Sequence, residues 1–199
     1  MSWTEYLALL SLAAAMSFSP GPNTTLSTAL AANRGLRVAL RFVCSVPVGW
    51  GLLLLACAFG FGALVVTWPP LAFGIKAAGV GYLLWLAAKL AASGRMGEFD
   101  ESRMNITFFQ GAALQFLNIK AWALALSITA GWLIGKPDFY LRLAQLLPTM
   151  LAFALTSNFT YAVLGLSLRG WLAQGKRLLW FNRCMAAVLV LTAFWMLRV

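Results

Sequence analysis

Long apolar segments, separated by short polar or charged stretches, follow one another along the whole chain. Each is long enough to cross a bilayer as a helix, since a membrane span needs about 20 apolar residues. We predict six membrane-spanning helices, at residues 4–30, 38–66, 71–92, 106–133, 143–168 and 178–197. The polar stretches between them are too short to form a separate soluble domain. The pattern therefore predicts an all-α membrane protein.

The order of the predicted spans indicates a duplicated fold. Residues 1–92 and residues 106–199 each contain three spans, and residues 93–105 form a charged linker between them. The first span of each half has a polar interruption, and the second has a polar patch near its centre. Because each half has an odd number of spans, the halves would be inverted across the membrane, as in many transporters. We predict two inverted three-helix repeats.

The charge of the chain indicates how it is oriented. Hydrophobic residues make up 62% of the sequence and charged residues 10%, whereas a soluble domain carries about 25% charged residues. The net charge of +10 would suggest nucleic acid as a partner of a soluble protein, but here most of the basic residues follow the first, third and fifth spans. They are Arg34, Arg37, Arg41, Lys89, Arg95, Arg103, Arg169, Lys176, Arg177 and Arg183. The positive-inside rule places these loops, including the linker, in the cytoplasm and both termini outside. The expected surroundings are a lipid bilayer and not nucleic acid.

The first span is interrupted by the sequence Ser19-Pro20-Gly21-Pro22-Asn23. Each proline lacks an N–H and clashes with the carbonyl four residues earlier, so Met16 and Phe18 lose the helical partners of their carbonyls. Within a bilayer such groups must be satisfied by protein, water or ligand. The carbonyl end of one half-helix and the N–H end of the next could hold the amine and the carboxylate of an amino acid. A structural kink is the alternative.

Lys120 is the second unusual residue, because it lies within a predicted span. It is about 21 Å along the fourth span, and no acidic residue is predicted at that depth. A charge inside the membrane is costly and indicates a function unless a structural partner is found. Three alternatives remain: backbone carbonyls of the broken first helix, which is a structural role, a substrate carboxylate, which we favour, or loss of the lysine proton.

Several kinds of chemistry lack the residues that they need. The chain has no histidine, and Cys44, Cys57 and Cys184 show no metal-ligand spacing, so we predict no metal site and no cofactor. The acidic residues lie near span ends or in loops, at Glu5, Glu98, Asp100, Glu101 and Asp138. We therefore predict that the protein is not an enzyme. An intramembrane enzyme and a non-transporting membrane assembly subunit are the alternatives to a transporter.

At these residues the chain resembles the LysE/RhtB family of amino-acid exporters, and the resemblance covers essentially the whole sequence. It rests on the Ser19–Asn23 motif, on Gly35-Leu36-Arg37, on residues 76–86 and on Gln115-Phe116-Leu117-Asn118-Ile119-Lys120-Ala121. The resemblance implies a secondary transporter of the bacterial inner membrane that exports amino acids or related small metabolites in exchange for protons. Both termini would then be periplasmic.

Two departures from the family pattern bear on the substrate. The usual Asn-Pro-Lys of the fourth span is Asn118-Ile119-Lys120 here, so the second helix break lacks its proline. Many members also carry an acid after a glycine-rich turn in the second span, whereas residues 47–51 contain none. Without that carboxylate, the sequence does not support proton coupling through it, and it does not support a cationic substrate that would need it as a partner. A neutral amino acid or another small metabolite that bears an anion fits better.

We predict a substrate site between the first and fourth spans, with contributions from the second and fifth. Its residues are Pro20, Gly21, Pro22, Asn23, Thr24, Gln115, Asn118, Lys120 and Asn158. The prolines and the glycine would open the backbone, and Asn23 and Thr24 would hold a carboxylate. Lys120 would pair with it or carry the coupling proton, and the other amides would donate and accept hydrogen bonds. The partners expected are a small-molecule substrate and the bilayer, and the sequence leaves open whether the chain also forms a homo-oligomer.

Overall fold

The computed structural model describes residues 1–93 and 106–198, and all regular structure in those residues is helical. The helices are α1 (Trp3–Phe18), α2 (Pro22–Arg34), α3 (Leu36–Ala58), α4 (Phe61–Thr67), α5 (Pro69–Ala91), α6 (Phe108–Leu117), α7 (Ile119–Ile128), α8 (Phe139–Leu172) and α9 (Arg177–Arg198). One turn of π-helix, Thr129–Leu133, continues α7. The predicted linker lies outside the described residues apart from Ser93.

Four of the described helices, α3, α5, α8 and α9, are each long and apolar enough to cross a membrane. A fifth candidate span is the bent pair formed by α6 with α7 and its π-helical turn. The prediction of a multi-pass, all-α membrane protein is therefore confirmed. The first predicted span consists of two shorter helices, α1 and α2.

The second predicted span, residues 38–66, is wrong as a single helix. Helix α3 ends at Ala58, and Gly60 then adopts a φ of 103° before α4 begins at Phe61. A positive φ is accessible to glycine without the steric cost that other residues meet, and it ends the helical path. Hydropathy did not reveal this turn because the sequence is apolar on both sides of it.

The most extensive helix contacts join the first half of the chain to the second. Helix α2 packs along α8, α5 packs along α9, and α3 lies against both α6 and α8. Buried side chains such as Leu26, Phe42, Leu86 and Leu189 form one core between these helices. This interleaving brings the interruption of the first span next to the interruption of the fourth.

Glycines permit the closest of these contacts. A Cβ at Gly49 of α3 would overlap the backbone of Ala112 in α6, and one at Gly165 of α8 would overlap the carbonyl of Thr28 in α2. Small residues let helix backbones approach closely inside a membrane, where van der Waals packing provides much of the association energy. These two glycines therefore fix how near α3 and α8 lie to the interrupted helices.

An ionic cluster holds the beginning of α1 against α8. The Arg142 guanidinium donates to Asp138 at 2.6 Å and to Glu5 at 3.2 Å, and Lys136 lies 3.8 Å from Glu5. The hydrogen bond from Arg142 lowers the pKa of the Asp138 carboxyl. The indole of Trp132 also donates to the Glu5 carbonyl at 3.0 Å. Helix α1 is thus tied at its N-terminal end to the segment that connects α7 with α8.

Candidate functional site

The helix break predicted in the first span is present, and the polar interruption of the fourth span, which the sequence left undecided without its proline, is a break as well. Ser19 and Gly21 have extended backbones between α1 and α2. The second interruption lies at Asn118, where α6 meets α7 and its π-helical turn at an angle of 68°. It forms without a proline because the Asn118 backbone is extended and its side chain caps α7, accepting from the Lys120 N–H at 3.1 Å. Such a cap satisfies one of the free N–H groups at a helix start.

The carbonyls freed by the two prolines have protein donors. The Ser19 hydroxyl donates to the Met16 carbonyl at 3.0 Å, and the Tyr161 hydroxyl of α8 donates to the Phe18 carbonyl at 2.8 Å. Because an unpaired backbone carbonyl is costly inside a membrane, these two bonds stabilise the break. The Met16 and Phe18 carbonyls, which the sequence suggested as acceptors for the amine of a substrate, therefore already accept a hydrogen bond from the protein.

Lys120 reaches from the start of α7 to the break in the first span. Its Nζ donates to the carbonyl and to the hydroxyl of Ser19, both at 2.8 Å. Among the described residues it forms no ion pair. A Cβ at Gly21 would lie 3.2 Å from this Nζ, so glycine leaves room for the lysine to approach. Lys120 therefore has the structural partners that the sequence left as an alternative, together with an uncompensated charge.

Two polar side-chain pairs connect the interrupted helices to their neighbours. Asn23 donates to Gln115 at 2.8 Å and accepts from it at 3.2 Å, which joins α2 to α6. Asn158 of α8 accepts from Ser27 of α2 at 3.0 Å and donates to the Ala154 carbonyl at 2.8 Å. Buried amides need such partners. These residues accordingly hold the helices in position, and Asn23 and Asn158 also border the cavity between the two breaks.

The start of α2 presents a free helix end. The Gly21 N–H donates to the Thr24 hydroxyl at 3.0 Å, and the first helical backbone bond runs from the Thr25 N–H to the Gly21 carbonyl. The N–H groups of Asn23 and Thr24 precede that bond, so they have no intrahelical acceptor. A helix N-terminus of this kind attracts an anion through these N–H groups and through its dipole.

A cavity of about 60 Å³ lies between the two interruptions. The predicted site residues that line it are Gly21, Pro22, Asn23, Thr24, Asn118, Lys120 and Asn158. Pro20 is exposed and does not line the cavity, while Gln115 is fully buried behind Asn23. The structure thus brings most of the predicted residues together around one space.

Other residues of the cavity wall were not among the substrate-binding residues predicted from the sequence. Its apolar part includes Met16, Val46, Trp50, Leu124 and Met150, and its polar part includes Ser17 and Ser157. Tyr161 was also missed, because its role, donating a hydrogen bond to the Phe18 carbonyl at the first break, depends on the folded position of α8. A serine and a lysine form the catalytic pair of some enzymes, but here the Ser157 hydroxyl donates to the Ala154 carbonyl at 3.3 Å while Lys120 donates to Ser19, so the two are not hydrogen-bonded to each other. One ammonium group, a helix N-terminus, hydroxyls and an apolar wall suit a small carboxylate with a neutral side chain.

A family model described as LysE type translocator matches residues 14–198 of this chain. The chain is also similar to proteins named cysteine/O-acetylserine efflux protein from Escherichia coli, Shigella flexneri and Shigella sonnei, each 32% identical over 102 residues. The similarity covers 51% of this chain and 52% of each relative, so the chain spans about half the length of the curated relatives it matches. No solved structure matches the chain significantly.

Proposed function

We propose that the protein exports a neutral amino acid or a related small metabolite, because the chain belongs to the LysE type translocator family. The family resemblance drawn from the sequence is thereby confirmed, and the family is one of transporters and not of enzymes. The relatives named above are called efflux proteins for cysteine and O-acetylserine. Both compounds are small amino acids with one carboxylate and an uncharged side chain, which is the class we propose here.

Lys120 is the observation that carries this proposal. It lines the cavity between two helix breaks, and it has no acidic partner among the described residues. An ammonium group has three N–H donors, and Ser19 accepts two of them. A substrate carboxylate would take the third and would also face the free N–H groups of Asn23 and Thr24.

The remaining wall favours a neutral side chain. Met16, Trp50 and Met150 give one part of the cavity an apolar surface. The acids that the structure describes, Glu5 and Asp138, belong to the ionic cluster around Arg142. A second positive charge on the substrate would therefore lack a carboxylate partner at this site. The volume of about 60 Å³ is below the range of about 300–1,000 Å³ typical of ligand pockets, so the helices would move apart when substrate enters.

We propose six spans arranged as two inverted three-helix repeats, residues 1–92 and 106–199. Helices α1 and α2 would form the first span, and α3 with α4 the second. Both repeats would begin with an interrupted helix, and both second spans contain a proline, Pro47 in α3 and Pro148 in α8. The packing of α5 along α9 and of α3 against α8 supports this arrangement, since each pair would be related by the repeat.

Orientation and coupling complete the proposal. The protein would lie in the bacterial inner membrane with its basic loops in the cytoplasm and both termini in the periplasm. The exposed side chains of Trp3, Trp68 and Trp195 near the ends of α1, α5 and α9 support one common interface, because tryptophan is enriched there. Proton coupling would run through Lys120, since neither described carboxylate borders the cavity.

The test is counterflow in proteoliposomes with the purified protein. Vesicles preloaded with cysteine, O-acetylserine, serine or alanine would accumulate the same labelled compound, whereas the decarboxylated amines of those compounds would neither accumulate nor compete. Equal uptake of an amino acid and of its amine would refute the role given to the carboxylate. If no member of the amino-acid panel exchanged, the protein would have to be assigned to the non-transporting alternative or to another substrate class.

A further inference from the structure

A second and larger hollow lies on the membrane-facing surface, separate from the polar cavity. It is a groove of about 540 Å³ bordered by α4, α5 and α7. Most of its wall is apolar, formed by Val66, Phe73, Trp122, Ala123 and Leu126. Its volume falls within the range of about 300–1,000 Å³ that encloses small ligands. Unlike the cavity near Lys120, it offers a ligand almost no hydrogen-bonding groups, so the groove does not suit an amino acid.

Lys76 is the charged residue of this groove. Helix α5 starts at Pro69, which puts Lys76 about 10 Å along the helix. Trp68, immediately before the helix, is 54% exposed and marks the interfacial end. Lys76 is partly buried and forms no ion pair among the described residues. A lysine at this depth is costly unless its stem extends toward the interface and its amine finds an anion.

We propose that the groove is a binding site for an anionic phospholipid. One acyl chain would lie against Phe73 and Trp122, and the negatively charged headgroup would meet the Lys76 ammonium at the Trp68 end of α5. The charge favours an anionic lipid over a zwitterionic one, whose headgroup carries its own compensating cation. A lysine near the membrane surface contributes about 1 kcal/mol to binding of anionic lipid, which is about a fivefold difference in affinity.

The experiment uses the full-length protein in a neutral detergent, with phosphatidylglycerol and phosphatidylcholine of identical acyl chains as probes. Native mass spectrometry measures lipid retention, and thermal unfolding measures stabilisation. We expect the wild type to retain phosphatidylglycerol about fivefold better than phosphatidylcholine. In Lys76→Met that preference disappears, while retention of phosphatidylcholine is unchanged.

Two further variants make the test specific. Lys89→Met removes the same charge from the same helix, but Lys89 lies 3.8 Å over the Trp85 ring and away from the groove, so the lipid preference should persist. Ala123→Phe fills the groove and should reduce retention of both lipids. If Lys76→Met does not fold, Lys76→Gln keeps a polar side chain of similar length and replaces it in the comparison.

Several outcomes would overturn the proposal. Equal retention of the two lipids by the wild type would mean that the headgroup charge is not recognised. An unchanged preference in Lys76→Met, or an equal loss in Lys89→Met, would show that Lys76 does not provide it. A dimer that persists in detergent and is dissociated by Ala123→Phe would assign the groove to a second copy of the chain. These measurements need no transported substrate, so a result that contradicts the lipid site would not contradict the proposed export function.

Discussion

Replacing Lys120 by methionine would separate a structural lysine from a substrate-binding one. Methionine fills most of the volume of the lysine stem but cannot donate to Ser19. The Ser19 hydroxyl would keep its bond to the Met16 carbonyl, so the main loss to the empty protein is the donor to the Ser19 carbonyl. An acceptor left without its partner costs about 1–3 kcal/mol, and this is reduced because a partly buried charge is removed as well. We expect a small decrease in the melting temperature.

The loss of ligand binding should be much larger than the loss of stability. Removing one member of a buried charge pair costs about 2–5 kcal/mol, which corresponds to an affinity at least about thirtyfold weaker. Lys120→Gln provides the matched comparison, because glutamine can still donate to Ser19 but has no charge. If the charge holds the carboxylate, Lys120→Gln should retain the stability of the empty protein and lose binding as Lys120→Met does.

Thermal unfolding with and without the amino acid, followed by counterflow in proteoliposomes, measures the two effects on the same samples. The melting temperature of wild-type protein should rise with ligand, since binding to the folded state stabilises it by mass action. Neither Lys120 variant should show that rise. If Lys120→Met binds and exports substrate like the wild type, the lysine has neither of the proposed roles, and the bonds to Ser19 are its whole purpose.

Three other predictions concern the break and the packing around it. Pro20→Ala combined with Pro22→Ala should restore helical bonding, preserve insertion and abolish counterflow, and normal counterflow would show that the break is only a kink. Tyr161→Phe should lower stability by about 1–3 kcal/mol, because the carbonyl freed by the second proline loses its donor, and an unchanged melting temperature would contradict this. Gly49→Ala should destabilise the protein by about 1–3 kcal/mol through backbone overlap, whereas Gly81→Ala, with no atom within 4 Å of the new Cβ, should not, and equal effects would refute the packing argument.

Local chemistry made part of the site predictable. Pro20 and Pro22 interrupt a helix whatever surrounds them, because the missing N–H and the clash with an earlier carbonyl are properties of proline itself. The break at Asn118 was less certain, since Ile119 stands where the family has proline. It forms through the capping side chain of Asn118, an interaction that sequence can suggest but does not require.

The features that could not be predicted depend on the interleaving of the two halves. Tyr161 follows Pro20 in sequence by more than a hundred residues, and its role appears only once α8 lies across the first break. Gly49 and Gly165 are two of 17 glycines, and no local spacing distinguishes them from the others. The turn at Gly60 is bordered by apolar residues, so hydropathy continues through it. Tertiary contacts decide all of these cases.

On the proposed function, Ser19 and the substrate carboxylate would both accept hydrogen bonds from Lys120. The Ser19 carbonyl and hydroxyl accept from two of the three donors of the Lys120 ammonium, so a substrate carboxylate that accepts from more than the third donor must displace one of those bonds. The apparent affinity of a ligand falls in proportion to the fraction of protein in the binding-competent state. The contact between Lys120 and Ser19, which joins the two breaks, would then speed the release of substrate, because the displaced bond re-forms as the carboxylate leaves. Weak binding of the substrate suits an exporter, because the substrate has to be released once it has been carried across the membrane.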